Sequence, residues 1–220
     1  CRLREKRGET VAGYKIGCTS PIIQQQLGID HPVFGRLFAT ERHDSGVELS
    51  TKQFADLAIE GELAVRLSED VPSDCGDRDR ILRCVNRVFP VIELHNHVLR
   101  SPNRAVSELI ANNALHAGFV VPHLDLSLPL SDDLSLRITL NGDTAAEVTG
   151  FRWRDTVVEA IADLSSLLAS HGLSLKADHF VLTGSLAELI PVSSETTVEV
   201  STLNHGSVTA TFDCLTSANG

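Results

Sequence analysis

The stretch Leu57–Leu67 constrains the fold more than any other part of the chain. Ile59, Gly61, Leu63, Val65 and Leu67 alternate with Glu60, Glu62, Ala64 and Arg66, and a period of two marks a β-strand with two chemically different faces. A strand of this length is not stable alone. The chain must therefore build a sheet around it, and one face of that strand carries two carboxylates.

Other segments supply the partners. Val11–Ile16, Pro90–His97, Gly118–Val121 and Phe180–Thr183 read as strands. Leu134–Leu140 and Ala145–Thr149 form a hairpin around Asn141-Gly142-Asp143, because Asn-Gly tolerates the positive φ a tight turn requires. A second hairpin joins Thr197–Leu203 to Ser207–Phe212 around Asn204-His205-Gly206. Helices are fewer. Ser20-Pro21 opens a short one through Leu27, stopped at Gly28, and Asp77–Val88 and Asn103–Ala114 suit two more. Thr156–Ser170 is the clearest, with Val157, Val158, Ile161, Leu164, Leu167 and Leu168 on one face, Thr156 and Glu159 as a capping box, and Gly172 past its end. Strands outnumber helices, so the class is α+β with a dominant sheet.

At 220 residues the chain fits one catalytic domain spanning 1–220, large enough to bury a core without disulfides or a structural metal. Hydrophobic residues at 42% and charged residues at 22% exclude a disordered chain. No apolar run approaches the ~18 residues of a membrane span. The net charge of −10 argues against nucleic-acid binding, which depends on neutralising phosphates. Cys1, Cys18, Cys75, Cys84 and Cys214 are odd in number, scattered and without a C-x-x-C pair, and read as reduced thiols of a cytoplasmic protein. The chain holds no methionine, and Cys1–Thr10 reads as the charged end of an N-terminal helical segment whose beginning is absent from the sequence.

There is no glycine-rich phosphate loop, G-x-S-x-G elbow or H-E-x-x-H pair. What stands out is a small set of ionisable residues in unexpected places. Glu60 and Glu62 leave the same face of one strand, where like charges repel unless a cation or solvent screens them. Glu93 lies in the apolar run Val91-Ile92-Glu93-Leu94, where burial demands compensation. Three converging carboxylates make a hard oxygen site suited to Mg²⁺ or Mn²⁺. Glu93, His95 and His97 also share a strand face, which leaves open a softer H-x-H site for Zn²⁺ or a plain polar wall. Lys15, in Tyr14-Lys15-Ile16-Gly17, is either a solvated charge or, close to a divalent cation, an acid–base group working near neutral pH.

Several of these segments occur in one order. Tyr14-Lys15-Ile16-Gly17-Cys18-Thr19-Ser20-Pro21, Leu27-Gly28-Ile29-Asp30 and Gly35-Arg36-Leu37-Phe38 are followed by Glu60-Gly61-Glu62-Leu63-Ala64, Pro90-Val91-Ile92-Glu93, Ile110-Ala111-Asn112-Asn113-Ala114 and Leu182-Thr183-Gly184-Ser185-Leu186. The set, from about Gly13 to Pro191, resembles the 2-keto-4-pentenoate hydratase and 4-oxalocrotonate decarboxylase group of the fumarylacetoacetate hydrolase superfamily. The resemblance implies the sheet-dominated fold of that superfamily's C-terminal domain, a mixed β-roll or barrel with flanking helices. It implies a hydro-lyase that adds water to a 2-hydroxydienoate or 2-oxo-alkenoate such as 2-keto-4-pentenoate. Glu60, Glu62 and Glu93 would hold Mg²⁺ or Mn²⁺, which would chelate the substrate's 1-carboxylate and 2-oxygen. Lys15 would shuttle the proton, Thr183 and Ser185 with the Gly184 backbone between them would hold the carboxylate, and Thr19 would also bind substrate. It also implies a homo-oligomer acting on a small 2-oxo acid. The same site could instead serve decarboxylation or acylpyruvate-type C–C hydrolysis, with His95 or His97 activating water, and a fold-retaining binding protein is the non-catalytic alternative. Two departures fall near the pocket: Leu94-His95-Asn96-His97 where hydratases often continue I-D-S-R, and Asn112 where the family often has aspartate.

Overall fold

The computed structural model describes residues 2–73, 75–98, 106–123, 128–129, 131–203 and 205–213. Cys1, Asn103, Asn204 and Cys214, which entered the sequence reading, lie outside them. In chain order the elements are α1 (Arg2–Lys6), β1 (Val11–Gly17), α2 (Pro21–Leu27), β2 (Val33–Phe38), β3 (Arg42–Asp44), β4 (Val47–Ser50), β5 (Leu57–Leu67), α3 (Arg78–Arg83), β6 (Val85–Asn96) and α4 (Val106–Ala111). There follow β7 (His116–Val121), β8 (Asp133–Leu140), β9 (Asp143–Arg152), α5 (Trp153–Ala169), β10 (Phe180–Leu182), β11 (Ile190–Pro191), β12 (Thr196–Thr202) and β13 (Ser207–Asp213).

The strands form two mixed sheets. The larger runs β2-β1-β10-β5-β6-β7-β3, with β11 on β5, and the smaller runs β4-β13-β12-β8-β9. The large sheet curls enough for β2 to pack against β7, and its inner face is filled by Leu37, Phe89, Val91, Phe119, Phe180 and Leu182. Its outer face is covered twice. At one end α5 lays Trp153, Val157, Ile161, Leu164 and Leu168 against Leu63, Val65 and Val181. At the other the small sheet packs Leu136, Ile138, Val198 and Val200 onto Ile59, Ile92 and Leu94. This is the α+β, sheet-dominated roll with flanking helices that the resemblance implies.

The close approach of the sheets depends on Gly61. A Cβ there would lie 2.6 Å from Ile138 Cδ1 and 3.2 Å from Val200. The glycine between the two acidic residues of β5 therefore lets the second sheet seat directly behind the carboxylates.

Several expected boundaries move, each for a local reason. α3 covers only Arg78–Arg83, capped by Asp77 Oδ1 accepting from Arg80 N at 3.1 Å, because Val85–Phe89 joins β6 and pairs with β5. α5 begins at Trp153, straight out of β9, so the expected capping box does not form. Thr156 Oγ1 instead donates back to Arg152 O at 3.3 Å. Ser20 occupies the cap position of α2 without a side-chain bond, while Gly28 ends that helix in the left-handed region at φ 67°. The β8–β9 turn has Asn141 at φ 52° and Gly142 at φ 89°, the positive-φ pair that Asn-Gly predicts.

Candidate functional site: a buried lysine among carboxylates

The site lies on the inner face of the large sheet, where the apolar filling gives way to charge. Register explains the convergence. Glu60 pairs directly with Glu93 across the β5–β6 ladder, and Glu62 lies two positions along the same face. Lys15 pairs with Leu182 of β10 on one side and Gly35 of β2 on the other. His95 stands opposite His116 of β7. Two carboxylates facing each other across a ladder are destabilising unless a positive charge compensates.

Lys15 is 3% exposed and Glu62 and Glu93 are fully buried. The Lys15 ammonium donates to Ala114 O at 3.0 Å and lies 3.2 Å from Glu93 Oε1. That same oxygen is 2.7 Å from Nδ1 of the buried His116 ring. His95 Nε2 is 3.0 Å from Glu60 Oε2 and 3.5 Å from Glu93 Oε2. Glu62 Oε2 accepts from the Gly184 backbone N–H at 3.0 Å.

The cluster divides its protons unevenly. Burial pushes Glu62 up, and the charges of Glu93 and Glu60 push it further, so it stands well above the usual carboxylate range. Burial also raises Glu93, but Lys15 and His95, with the hydrogen bonds of His116 and His95, outweigh it and hold Glu93 well below that range. Burial lowers Lys15, yet Glu93, Glu60 and Glu62 more than compensate and keep it raised. His95 follows the same logic: burial lowers it, Glu93 and Glu60 reverse that, and it sits at about 9. Without a further cation the cluster thus favours positive charge on Lys15 and His95 and pushes Glu62 toward its neutral form.

Two atoms bear on whether a metal ion fits. Glu62 Oε1 is buried without a hydrogen-bond partner, and Glu93 Oε2 is buried with only the 3.5 Å ion pair to His95, an expensive condition for carboxylate oxygens. A divalent cation would satisfy both, and oxygen donors suit Mg²⁺ or Mn²⁺. Ligand atoms of Glu60, Glu93 and His95 lie within 4.8 Å of one another. The residues fit such an ion, but the group holds only Glu60 and Glu93 of the three carboxylates expected from sequence, with His95 in it and Glu62 outside it.

A cavity of about 1060 Å³ opens onto this cluster. Lys15, Glu60 and His95 line its polar end, with Thr19, Ser20 and Ser185 at the wall, and Ile23, Leu27, Leu109, Leu115 and Leu189 along its apolar side. His97 also faces the cavity, with Nδ1 3.8 Å from Asp56. The expected substrate-binding set divides. Thr19 and Ser185 line the cavity, whereas Thr183 and Gly184 do not. The Thr183 hydroxyl donates to Leu63 O at 2.9 Å and Gly184 serves Glu62. Sequence reasoning missed His116 and the Ala114 carbonyl. The only signal for His116 was its register opposite His95, and a backbone oxygen leaves no signal at all.

No family model matches the chain. It is 32% identical over 200 residues to the 2-hydroxyhexa-2,4-dienoate hydratase of Comamonas testosteroni, covering 88% of this chain and 75% of that protein. It is 30% identical over 212 residues to the 2-keto-4-pentenoate hydratase of Burkholderia vietnamiensis, covering 96% and 81%. In structure it matches the 4-oxalocrotonate decarboxylase of Pseudomonas putida G7, complexed with magnesium and adipate, at a TM-score of 0.87 and 24% identity over 96% of this chain and 81% of that one. The fold is also shared with a putative fumarylacetoacetate hydrolase family protein of Yersinia pestis CO92, at a TM-score of 0.58 and 18% identity over 93% of each chain. By its sequence relatives the chain belongs to the 2-keto-4-pentenoate hydratase family and is an enzyme of the lyase type. Among the described residues, no helix is long and apolar enough to cross a membrane.

Proposed function

We propose that the chain is a divalent-metal-dependent hydratase adding water to a 2-hydroxydienoate of the 2-keto-4-pentenoate type. Glu60, Glu62 and Glu93, with His95 beside them, would hold Mg²⁺ or Mn²⁺. The observation that carries this reading is the buried Lys15–Glu93 pair at the polar end of the cavity, next to Glu62 Oε1, which has no hydrogen-bond partner, and Glu93 Oε2, which has only the long ion pair with His95. When bound, the ion supplies a Lewis acid that makes a 2-oxo acid a better electron sink.

The chain's own residues supply the rest. Lys15 Nζ would give a proton to the terminal carbon of the dienol and recover the one released from its 2-hydroxyl, which converts the dienol into a conjugated 2-oxo-alkene open to water. Glu93 keeps that ammonium charged and oriented between turnovers. Thr19 presents a hydroxyl for the substrate carboxylate; the Ser185 hydroxyl donates to Ala187 O at 2.6 Å and shapes the cavity wall, while Thr183 and Gly184 act one step behind by holding β10 to β5 and orienting Glu62. The apolar wall accommodates the hydrocarbon tail and excludes water from it. His95, 3.0 Å from Glu60 Oε2 and 3.5 Å from Glu93 Oε2, holds these carboxylates in place.

Incubation of 2-hydroxypenta-2,4-dienoate with the protein and Mg²⁺ or Mn²⁺ in ¹⁸O-water tests this. Mass spectrometry should show a single hydrated product carrying the label. Carbon dioxide release from a dicarboxylic analogue without hydration, cleavage of an acylpyruvate into two fragments, or no consumption of any of these would overturn it.

A further inference from the structure

We propose that Asn113 is a positioning residue for Lys15, acting through a left-handed turn clipped to the edge of β2. The inference rests on the reading of Lys15 as proton carrier.

The turn between α4 and β7 is unusual in its backbone. Asn113, Ala114 and Leu115 have φ values of 56°, 53° and 64° in succession. Asparagine tolerates this region, but alanine and leucine bring a Cβ into conflict with the following carbonyl. Such a run persists only where surrounding contacts over-determine it, and such strain concentrates at functional sites.

β2 is the end strand of the large sheet, and along its open edge Asn113 acts as one added rung. Its Oδ1 accepts from Arg36 N at 2.8 Å, and its Nδ2 donates to Arg36 O at 2.7 Å. Arg36 adjoins Gly35, the residue that faces Lys15 in the β1–β2 ladder. Gly35 lets the turn press down on this point, since a Cβ there would lie 2.9 Å from Asn113 O and 3.2 Å from the Lys15 side chain.

The consequence is specific. With the turn clipped, the Ala114 carbonyl points at Lys15 Nζ from 3.0 Å. The ammonium is then held between that carbonyl and Glu93 Oε1, which fixes its approach to the cavity. Removing the clip lets the turn relax toward ordinary φ values, the carbonyl leaves, and the lysine gains freedom to swing. Misplacement of a reacting group by about 1 Å can lower turnover about 100-fold.

Asn112 provides the control, because its amide donates to Glu108 O within α4 and does not reach β2. The full-length chain with Mg²⁺ is compared with Asn113→Ala, Asn113→Asp and Asn112→Ala. Two readouts are taken: steady-state kinetics, and the rate of reductive methylation of each lysine followed by mass spectrometry. In Asn113→Ala, kcat should fall roughly 10- to 100-fold with KM within about twofold. Lys15 should be labelled roughly tenfold faster while Lys6, Lys52 and Lys176 stay unchanged, as expected for a local opening. Asn113→Asp keeps the acceptor for Arg36 N and should fall between, and Asn112→Ala should match the wild type. Unchanged kcat with unchanged Lys15 labelling overturns the proposal. So does a loss of kcat accompanied by equal acceleration at all four lysines or by a collapse of Tm, which would assign Asn113 to folding alone. Should the wild type hydrate no 2-hydroxydienoate, the hydratase reading fails and the labelling arm still decides the clip.

Discussion

β5 and β12 read alike as sequences and mean different things. Both alternate polar and apolar residues. In β12 the alternation translates into exposure, with Thr196, Val198, Val200 and Thr202 buried while Thr197 is exposed. In β5 the pattern describes chemistry only. Apart from Glu60 and Arg66, every residue of β5 is buried, including Glu62 on the acidic face. The small sheet has solvent on its far side, whereas the large sheet is covered outside by α5 and the small sheet and curls around its inner face. Period two therefore identifies two faces, and what packs on each face decides whether a carboxylate there is a surface charge or a buried, high-cost group with a function.

The sharpest way to break this comparison is at Glu62. Glu62→Gln should abolish Mg²⁺- or Mn²⁺-dependent turnover. Because burial and the charges of Glu93 and Glu60 push Glu62 toward its neutral form, a neutral amide should leave the metal-free Tm unchanged or higher. A fall in Tm with retained activity would make Glu62 an ordinary structural polar residue, like those of the small sheet. Lys15→Met should lower kcat at least about 100-fold, the scale of general acid–base groups, with the circular dichroism spectrum preserved. Equal turnover in that variant would place the proton transfer elsewhere.

The next effect is one of packing. Gly61→Ala should cost about 1–3 kcal/mol of stability in chemical denaturation, because its Cβ meets Ile138 and Val200 and pushes the sheets apart. An exposed alternating strand would show no such cost. The smallest effect is expected from pH. Burial holds His179 below the ordinary imidazole value of 6.5, its Nδ1 accepting from Lys176 N at 3.2 Å and its ring facing Tyr14 at 5.6 Å. In the window just below 6.5 the unfolded chain binds the proton that the folded protein refuses, so stability declines as pH is lowered through it. His179→Gln should flatten that decline over pH 7 to 5, and an identical slope in both proteins would remove His179 as its source.

Much of the architecture was legible because it is local. β5 and α2 have the boundaries their sequence patterns predict, and the Asn141-Gly142 turn has the conformation its residues demand. Where expectation failed, a nonlocal partner won. Val85–Phe89 completes a helical pattern in sequence but pairs with β5 instead, and Thr156 loses its capping role because β9 runs unbroken into α5. β2, β3 and β4 were not recognised as strands. They are short, and their pairing is settled by β1, β7 and β13 rather than by their own pattern.

The same division runs through the site. By itself the sequence determined that Glu60, Glu62 and Glu93 lie on strand faces with the residue types a hard cation needs, that Lys15 stands at a strand end, and which family the ordered segments resemble. Side-chain period and residue chemistry are properties of the chain, so they can be read along it. Only the tertiary structure decided that Glu60 faces Glu93, that Glu62 is buried on its acidic face, that His116 braces Glu93, and that the Ala114 carbonyl meets Lys15. Those facts depend on strand register, sheet curl and a clipped left-handed turn. Each is set by contacts between residues far apart in sequence.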